Sequence, residues 1–217
     1  MSTMAQKILS RASGEEKVEP GDLIEAEVDL AMIHDLTGPL ALKTLEELGV
    51  ERPWDPSKVV VVIDHQAPAD RTESANLHAR LRSFVEENSL PWFYEVGEGI
   101  SHQVLVERHV LPGQLVIGAD SHTCTSGALG AFATGVGSTD MAAVLATGKI
   151  WLKVPESVKV LVEGKLRDRV TAKDLILTII GDVTAGGATY QAVEFHGNVA
   201  ALSIEDRFVI ANMGIEM

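Results

Sequence analysis

The sequence predicts an α/β fold, in which a mostly parallel sheet carries helices on both faces. Apolar, strand-like runs alternate with helix-like segments along most of the 217 residues, a pattern typical of βαβ units. In addition, the runs VVVVI at 59–63 and LVI at 115–117 are apolar at every position. Strands of this kind are covered on both faces, which favours a parallel sheet.

The individual elements follow from local patterns. A strand is expected over residues 23–30, because every second residue from 24 to 30 is apolar. A helix begins near Pro39 and ends at Gly49, since proline suits a first turn and glycine a helix end. The helix predicted over 72–88 should bury residues 77, 81, 84 and 85. Further helices are predicted near 4–12, 102–109, 139–147, 172–180 and 203–213, and further strands at 92–96, 158–162 and 193–195.

The predicted division of the chain places an α/β domain at 1–202 and the start of a further segment at 203–217. A chain of 217 residues is long enough to bury a core of its own as one large domain. Internal repeats and low-complexity linkers are absent from the sequence. We therefore expect one large domain and part of a second one.

Composition excludes several classes of function. The formal net charge of −13 argues against a nucleic-acid partner, although a local site could still bind a small anion. The N-terminus has no apolar signal core, and no apolar run approaches the length of a membrane span, so a cytoplasmic protein without a membrane partner is expected. Cys124 is the single cysteine, which rules out an intrachain disulfide.

Histidines and acids occur where four predicted strands end. Because the carboxyl ends of parallel strands meet at one edge of a sheet, these side chains should lie close together. A carboxylate beside an imidazole fixes its tautomer and raises its basicity, which suits proton transfer. The four groups are His34-Asp35, Asp64-His65, Ser101-His102 and Asp120-Ser121-His122.

Other interpretations of these residues remain open. The four histidines of these groups could instead bind zinc in a cluster-free hydrolase or zinc enzyme, although their spacing is not that of a typical structural site. Cys124 is expected to be a small buried residue or a pocket wall, with a nucleophile activated by His122 as the alternative. His78 and His109 are predicted to be surface or helix residues, and Asn212 and Glu216 to share one helix face.

The motifs together resemble the aconitase superfamily, in order and spacing, along nearly the whole chain. Within the superfamily the sequence is most similar to the 3-isopropylmalate dehydratase large subunits, and homoaconitase large subunits are the second interpretation. His34 stands where aconitases proper carry glutamine. The matching motifs are Asp64-His65, GISHQ at 99–103, Pro112-Gly113, GADSHT at 118–123, GVG at 135–137 and NMGIE at 212–216.

The resemblance implies an aconitase-type N-terminal domain and a hydro-lyase. Such an enzyme isomerises 2-isopropylmalate and 3-isopropylmalate in leucine biosynthesis by dehydration and rehydration. It further implies a [4Fe–4S] cluster in the full-length enzyme, a small swivelling-domain subunit as partner, and a small di- or tricarboxylate hydroxy acid as substrate. The cluster cysteines and the serine base are expected beyond Met217. We therefore expect no metal ligand in this chain, no bound cluster and no turnover by the chain alone; a cluster-free binding or assembly module is the non-enzyme alternative.

The same resemblance implies roles for individual residues. Catalytic roles are implied for Asp64, His65, His102, Asp120, His122 and Glu216. Substrate contacts are implied for His34, Ser121 and Asn212. His102 would pair with Asp120, and His122 with Glu216.

A final expectation concerns residues 203–217. If further domains normally cover the polar rim, the uncovered surface should favour self-association. Alternatively, the segment should be mobile or rearranged, since chain termini fray unless they are tied down. Glu216 would be poorly placed to pair with His122.

Overall fold

The computed structural model describes residues 2–217, and in this range seven α-helices and nine β-strands alternate. The helices are α1 (Met4–Ser13), α2 (Gly38–Glu47), α3 (Thr72–Asn88), α4 (Ser101–Arg108), α5 (Ser138–Thr147), α6 (Ala172–Val183) and α7 (Ile204–Met213). The strands are β1 (Leu23–Glu27), β2 (Leu30–His34), β3 (Val59–Val62), β4 (Trp92–Tyr94), β5 (Leu115–Gly118), β6 (Phe132–Gly135), β7 (Lys149–Lys153), β8 (Glu156–Val162) and β9 (Gln191–Gly197).

The main sheet of the described residues has five parallel strands in the order β4-β3-β2-β5-β6. The chain runs from the central strand β2 outward through β3 and β4, and then returns to the other side of β2 to form β5 and β6. The strand order therefore reverses between β2 and β5. In open α/β sheets, ligands bind in the crevice beyond the carboxyl ends at such a switch point. The predicted fold class is confirmed.

The uninterrupted apolar runs are explained by two separate cores, one on each face of this sheet. In β3, Val59 and Val61 belong to one core, whereas Val60 and Val62 belong to the other. All four are fully buried. The two-residue period of a strand thus sends consecutive valines into different cores, so no position of the strand faces water.

The strand predicted over 23–30 is wrong, because two strands occupy that region. β1 pairs antiparallel with β7, which the sequence pattern did not predict, and β2 joins the main sheet. Asp29 lies between them, and its carboxylate accepts the backbone N–H of Leu115 at 2.7 Å while it pairs with Arg11. The chain therefore changes sheets at Asp29, and His34 is the last residue of β2 rather than a residue beyond it.

Helix ends agree closely with the predicted signals. Thr3 and Gln6 form a capping box at α1, and Thr171 and Asp174 form one at α6. His78, predicted to be a surface or helix residue, lies in helix α3 but belongs to its buried face, where it is 2% exposed. Within residues 2–217, none of the helices combines the length and apolar character needed to cross a membrane.

The elements from β8 onward surround an apolar cluster of their own. β8 and β9 pair in parallel across α6, and the cluster includes Ala172, Ile176 and Ile210. This unit contacts the rest of the chain through packing and through hydrogen bonds. Helix α7 packs on the 3₁₀ segment at 121–129, and the Glu194 carboxylate accepts the backbone N–H of Met4 at 2.7 Å. The predicted boundary between 202 and 203 stays a prediction.

Candidate active site at the carboxyl edge of the sheet

The loop after β3 carries an oriented Asp–His pair. His65 Nδ1 donates to Asp64 Oδ1 at 2.7 Å, and the other carboxylate oxygen accepts the backbone N–H of Ser101 at 2.6 Å. Because Nδ1 carries the donated proton, Nε2 of the neutral ring can accept a proton, and it can deliver that proton once the ring is protonated. The His65 side chain is 29% exposed, whereas that of Asp64 is 6% exposed. The pair therefore presents one basic nitrogen to the cleft over a shielded carboxylate.

A second Asp–His pair joins α4 to the end of β5. His102 Nε2 lies 2.6 Å from Asp120 Oδ1, and the same oxygen accepts the backbone N–H of His122 at 2.7 Å. Gly135 on the neighbouring strand lets Asp120 and Ser121 approach, because a Cβ at that position would fall on their backbone atoms. The close approach explains why a glycine follows Thr134 in β6.

Asp120 is the centre of the site, since four imidazoles approach it. Its Oδ2 lies 3.5 Å from His34 Nε2 and 3.6 Å from His65 Nε2. Its Oδ1 contacts His102 Nε2 and lies 3.7 Å from His122 Nδ1. His102, followed by His34, holds the pKa of Asp120 far below its ordinary value, although burial acts in the opposite direction. The carboxylate is therefore an anion throughout the neutral range, and its Oδ1 accepts the Nε2–H of His102.

His34 is the last residue of β2, and hydrogen bonds at both ring nitrogens orient its side chain. Its Nδ1 accepts the backbone N–H of Leu36 at 3.3 Å, so the proton of the neutral ring sits on Nε2, which is 3.2 Å from the carbonyl oxygen of Ala119. The His34 ring stacks on that of His65, with centroids 3.9 Å apart and 12° between the planes. The stack brings the end of β2 against the Asp64-His65 loop and leaves His34 buried.

His122 lies at the rim, with Ser121 and Glu216 beside it. Ser121 Oγ is 3.3 Å from His122 Nδ1, and Glu216 Oε1 is 3.9 Å from His122 Nε2. The expected poor placement of Glu216 is wrong, because α7 forms a regular helix that packs on residues 121–129 and brings the short 3₁₀ turn after it to His122. The separation permits an ion pair but exceeds hydrogen-bond reach.

Asn212 and Cys124 bind the rim to α7 rather than facing the histidines. Asn212 Nδ2 donates to Thr125 Oγ1 at 2.9 Å, and the Cys124 thiol donates to the carbonyl oxygen of Ala211 at 3.2 Å. Burial raises the pKa of Cys124 to about 11. The thiol is therefore protonated at neutral pH, which argues against the nucleophile interpretation.

Asp35 supports the loop after β3 in a way that the sequence pattern did not reveal. Its side chain is fully buried, and Oδ1 accepts the backbone N–H of Asp64 at 3.0 Å and of His65 at 2.9 Å. Its Oδ2 accepts the N–H of Gln66 at 2.7 Å. The one available signal is position: Asp35 directly follows β2, which is the neighbour of β3 in the sheet. Asp35 therefore fixes the loop that carries His65.

The zinc interpretation fits this geometry poorly. His34, Asp35, Asp64 and His65 each offer an atom within 4.8 Å of the others. However, both carboxylates already accept backbone amides, and two rings stacked face to face direct their nitrogens alongside each other rather than toward one tetrahedral centre. His102 Nε2 is likewise engaged with Asp120. The carboxylate oxygens and His102 Nε2 are thus already engaged with the backbone and with one another.

The [4Fe–4S] cluster that the resemblance implies does not fit the donors of this chain. Such a cluster is held by three or four ligands, most of them cysteine thiolates. The 217 residues contain one cysteine, and its thiol is protonated and bound to the backbone of α7. The residues of this chain can surround such a group but do not supply its thiolates.

Comparison with known proteins is consistent with this geometry. A protein of Methanopyrus kandleri, named 3-isopropylmalate dehydratase large subunit 1, is 58% identical over 217 residues, which cover 99% of this chain and 52% of that protein. The 3-isopropylmalate dehydratase large subunit of Aquifex aeolicus is 52% identical over 216 residues, covering 99% of this chain and 50% of that protein. A probable methanogen homoaconitase large subunit of Methanosarcina mazei is 55% identical over 194 residues, covering 88% of this chain and 50% of that protein.

The chain spans about half the length of these curated relatives. The family model described as the aconitase family (aconitate hydratase) matches residues 6–217. Because that match and the most similar relatives cover nearly every residue, the chain belongs to the aconitase family.

Proposed function

We propose that this chain forms part of the large subunit of a 3-isopropylmalate dehydratase, a hydro-lyase that isomerises 2-isopropylmalate and 3-isopropylmalate through dehydration and rehydration. One observation carries the proposal. The Asp64-His65 and His102-Asp120 pairs lie together at the switch point of the sheet, in a chain 58% identical to a relative of that name. Dehydration of a hydroxy acid requires a proton for the leaving hydroxyl, and these pairs are suited to deliver it.

His65 is the proposed proton donor. With Nδ1 bonded to Asp64, its Nε2 is the ring atom that can hand a proton to a departing hydroxyl and recover it during rehydration. The Asp64 carboxylate stabilises the protonated ring and keeps the imidazole from rotating. Asp64 remains ionised in this step, because it accepts the Nδ1–H and the backbone N–H of Ser101.

Asp120 and its neighbours are proposed to position the reactants. The Asp120 anion would repel a dicarboxylate directly, so the substrate would lie on the far side of the histidines that face Asp120. His34 and Ser121 would contact its polar groups, and the His122–Glu216 pair would close the rim. Asn212 would act by holding α7 to the 121–129 segment, since its amide donates to Thr125.

Enzymes of the aconitase family carry a [4Fe–4S] cluster, and we propose that the full-length protein does so as well. Because this chain contains a single cysteine, the thiolates that hold the cluster must come from other residues. A small swivelling-domain subunit is the proposed partner, because the relatives are named as large subunits. The isolated chain is therefore expected to be inactive.

Homoaconitase is the second candidate, favoured by the relative from Methanosarcina mazei at 55% identity. The two activities differ in the group carried by the hydroxy acid, an apolar branched chain in one and a further carboxylate in the other. The deciding experiment joins the full-length large subunit with its small subunit under anaerobic conditions and measures both reactions. Higher kcat/KM with isopropylmalate supports the first proposal, whereas preference for homoaconitate overturns it. Absence of both activities in an intact complex would favour an assembly module.

The same assembled enzyme tests the role of His65. His65→Asn keeps a polar group toward Asp64 but removes Nε2, so kcat should fall by about 100-fold or more while KM changes little. His196→Asn is the matched control, because His196 pairs with Glu194 away from this site. A His65 variant with nearly full kcat would refute the assignment of the proton donor.

A further inference from the structure

Helix α3 buries a histidine that the site described above does not use. The other two polar side chains on the buried face of α3 are satisfied, since Ser74 Oγ donates to Asp70 and Asn88 Nδ2 donates to the carbonyl oxygen of Phe84. His78 Nε2, by contrast, makes no hydrogen bond to any of residues 2–217, although the side chain is 2% exposed. A buried polar group without a partner is costly, so its placement requires an explanation.

A neighbouring carboxylate offers an explanation. His78 Nε2 lies 3.5 Å from Asp35 Oδ2. Burial alone would raise the pKa of Asp35, but the backbone amides of His65, Gln66 and Asp64 outweigh it and hold the pKa below its ordinary value. Asp35 is thus a fully buried anion, and His78 is a buried side chain that lies against its Oδ2.

The other charged groups around His78 are accounted for by their own partners. Glu95, after β4, also approaches His78, but it is bonded through both oxygens to Arg82, at 2.6 Å and 2.8 Å. The Arg82 guanidinium is the main reason that the pKa of Glu95 lies below its ordinary value, and His78 contributes to the same shift. On the cleft side, His65 Nδ1 is 4.0 Å from Asp35 Oδ1 but is bonded to Asp64. His78 therefore faces Asp35 as its principal partner.

We propose that His78 is a positioning residue, which holds the Asp64-His65 pair in place by fixing the carboxylate of Asp35. The connection is direct. Asp35 accepts the backbone amides of Asp64, His65 and Gln66, so any rotation of its carboxylate releases that loop. His78 Nε2 lies 3.5 Å from Asp35 Oδ2, and its attraction to that oxygen opposes such a rotation. It does not touch the cleft, and it acts on catalysis solely through Asp35.

The structural test uses amide hydrogen exchange in the 217-residue chain. His78→Leu removes the donor at similar volume, and exchange of the Asp64, His65 and Gln66 amides should become about tenfold faster relative to the other core amides. His78→Gln places an amide N–H near the position of Nε2 and should restore most of the protection. Asn88→Leu is the matched control on the same buried face; it should weaken protection generally without singling out these three amides.

Two results would overturn the proposal: unchanged protection of the three amides in His78→Leu, or a His78→Gln variant that behaves like His78→Leu. If His78→Leu does not fold, His78→Asn replaces it, because its shorter side chain keeps polarity but falls short of Asp35. Selective loss in His78→Asn with retention in His78→Gln supports the proposal, and equal protection in both contradicts it.

A second readout rests on the proposed function. In the assembled enzyme, His78→Leu should lower kcat with little change in KM, and His78→Gln should recover it, since a misplaced His65 affects the transition state most. The exchange measurement needs no activity. If selective loss of protection occurs without loss of kcat, the positioning of the loop stands and the catalytic role of His65 fails.

Discussion

At the scale of single residues, two carboxylates with depressed pKa values have different surroundings. Asp35 is held by backbone amides, whereas Asp120 is held mainly by imidazoles. Backbone amides cannot give up a proton at neutral pH, so Asp35 can only orient its loop. The imidazoles around Asp120 can exchange protons, so their arrangement sets which ring nitrogens are available for chemistry.

The first prediction concerns Asp120→Asn. A carboxylate whose pKa is depressed in the folded state contributes stability above its unfolded pKa of about 4, and that stability is lost as pH falls toward the folded value. The variant should therefore be about 2 kcal/mol less stable than the parent at pH 7, with a difference that shrinks below about pH 4. Urea unfolding over a pH series measures this.

Asp168→Asn is the control for that series. Asp168 is exposed, and the substitution removes the same formal charge as Asp120→Asn. Its effect should stay within about 0.5 kcal/mol at every pH. A stability difference between the Asp120 variant and the parent that grew on acidification would contradict the assigned charge state.

Which residues meet could be predicted better than how they meet. His65, His102 and Asp120 could be expected at one edge, because each follows a strand and parallel strands end together. The stacking of His34 on His65 could not be predicted, because it requires β2 to pair with β3. The sequence of neither strand shows which strand it pairs with. The burial of His78 could not be predicted, because helical periodicity is read from apolar residues and assigns polar residues to the exposed face. The roles of all these residues stay predictions.

At the scale of elements, the loops after β5 and β6 show how backbone packing supports the site. Gly118 and Gly135 lie opposite each other in the two strands, and the 3₁₀ segment at 121–129 folds over them. A side chain at Gly118 would meet Thr123, and one at Gly135 would meet the backbone of Asp120 and Ser121. The position of Asp120 thus depends on the absence of a Cβ on the neighbouring strand.

The second prediction follows from this packing. Gly135→Ala forces the backbone of Asp120 and Ser121 away from β6 and should destabilise the chain by about 1–3 kcal/mol. The loss should be accompanied by a change in the His102 ring signals, because its partner moves. Thermal unfolding and NMR spectra measure the two effects.

Gly127→Ala is the matched control for Gly135→Ala. A Cβ at Gly127 meets no atom of the described residues within 4 Å, and this glycine lies in the same 3₁₀ segment. Its effect should stay near 0.5 kcal/mol or below. Equal destabilisation by both substitutions would mean that the close approach at Gly135 is not what positions Asp120.

Element boundaries were predictable where capping chemistry is local and failed where the partner is distant. Thr171 and Gly148 mark helix ends through contacts with their own neighbours, so the pattern was sufficient. The break between β1 and β2 depends on Leu115 and Arg11, which are remote in sequence from Asp29. An alternating run cannot reveal that its two ends join different sheets.

At the scale of the whole molecule, large apolar side chains are exposed on one pair of strands. Leu23 and Trp151 are 71% and 72% exposed, and they lie diagonally on the outer face of the β1–β7 pair, among charged neighbours. Tyr190, also exposed, donates its hydroxyl to the carbonyl oxygen of Lys153 beside them. Exposed apolar side chains of this size favour contact with another molecule.

The third prediction is therefore that the 217-residue chain self-associates. Sedimentation velocity at increasing protein concentration should show a rising average mass, and the association should persist at high salt, because it depends on apolar contact. A single monomeric species across the concentration range would contradict this expectation. Hydrogen exchange over residues 203–217, measured in the same samples, tests whether that segment is mobile.

The central claim is that Asp120 gathers the histidines of three strand ends into one site, and the ¹⁵N signals of the imidazole rings test it most directly. At neutral pH, His34 and His102 should carry a proton on Nε2 and His65 on Nδ1. Asp120→Asn should shift the signals of all three rings together and leave those of His109 and His196 unchanged. A different set of tautomers, or three rings indifferent to the substitution, would contradict the account.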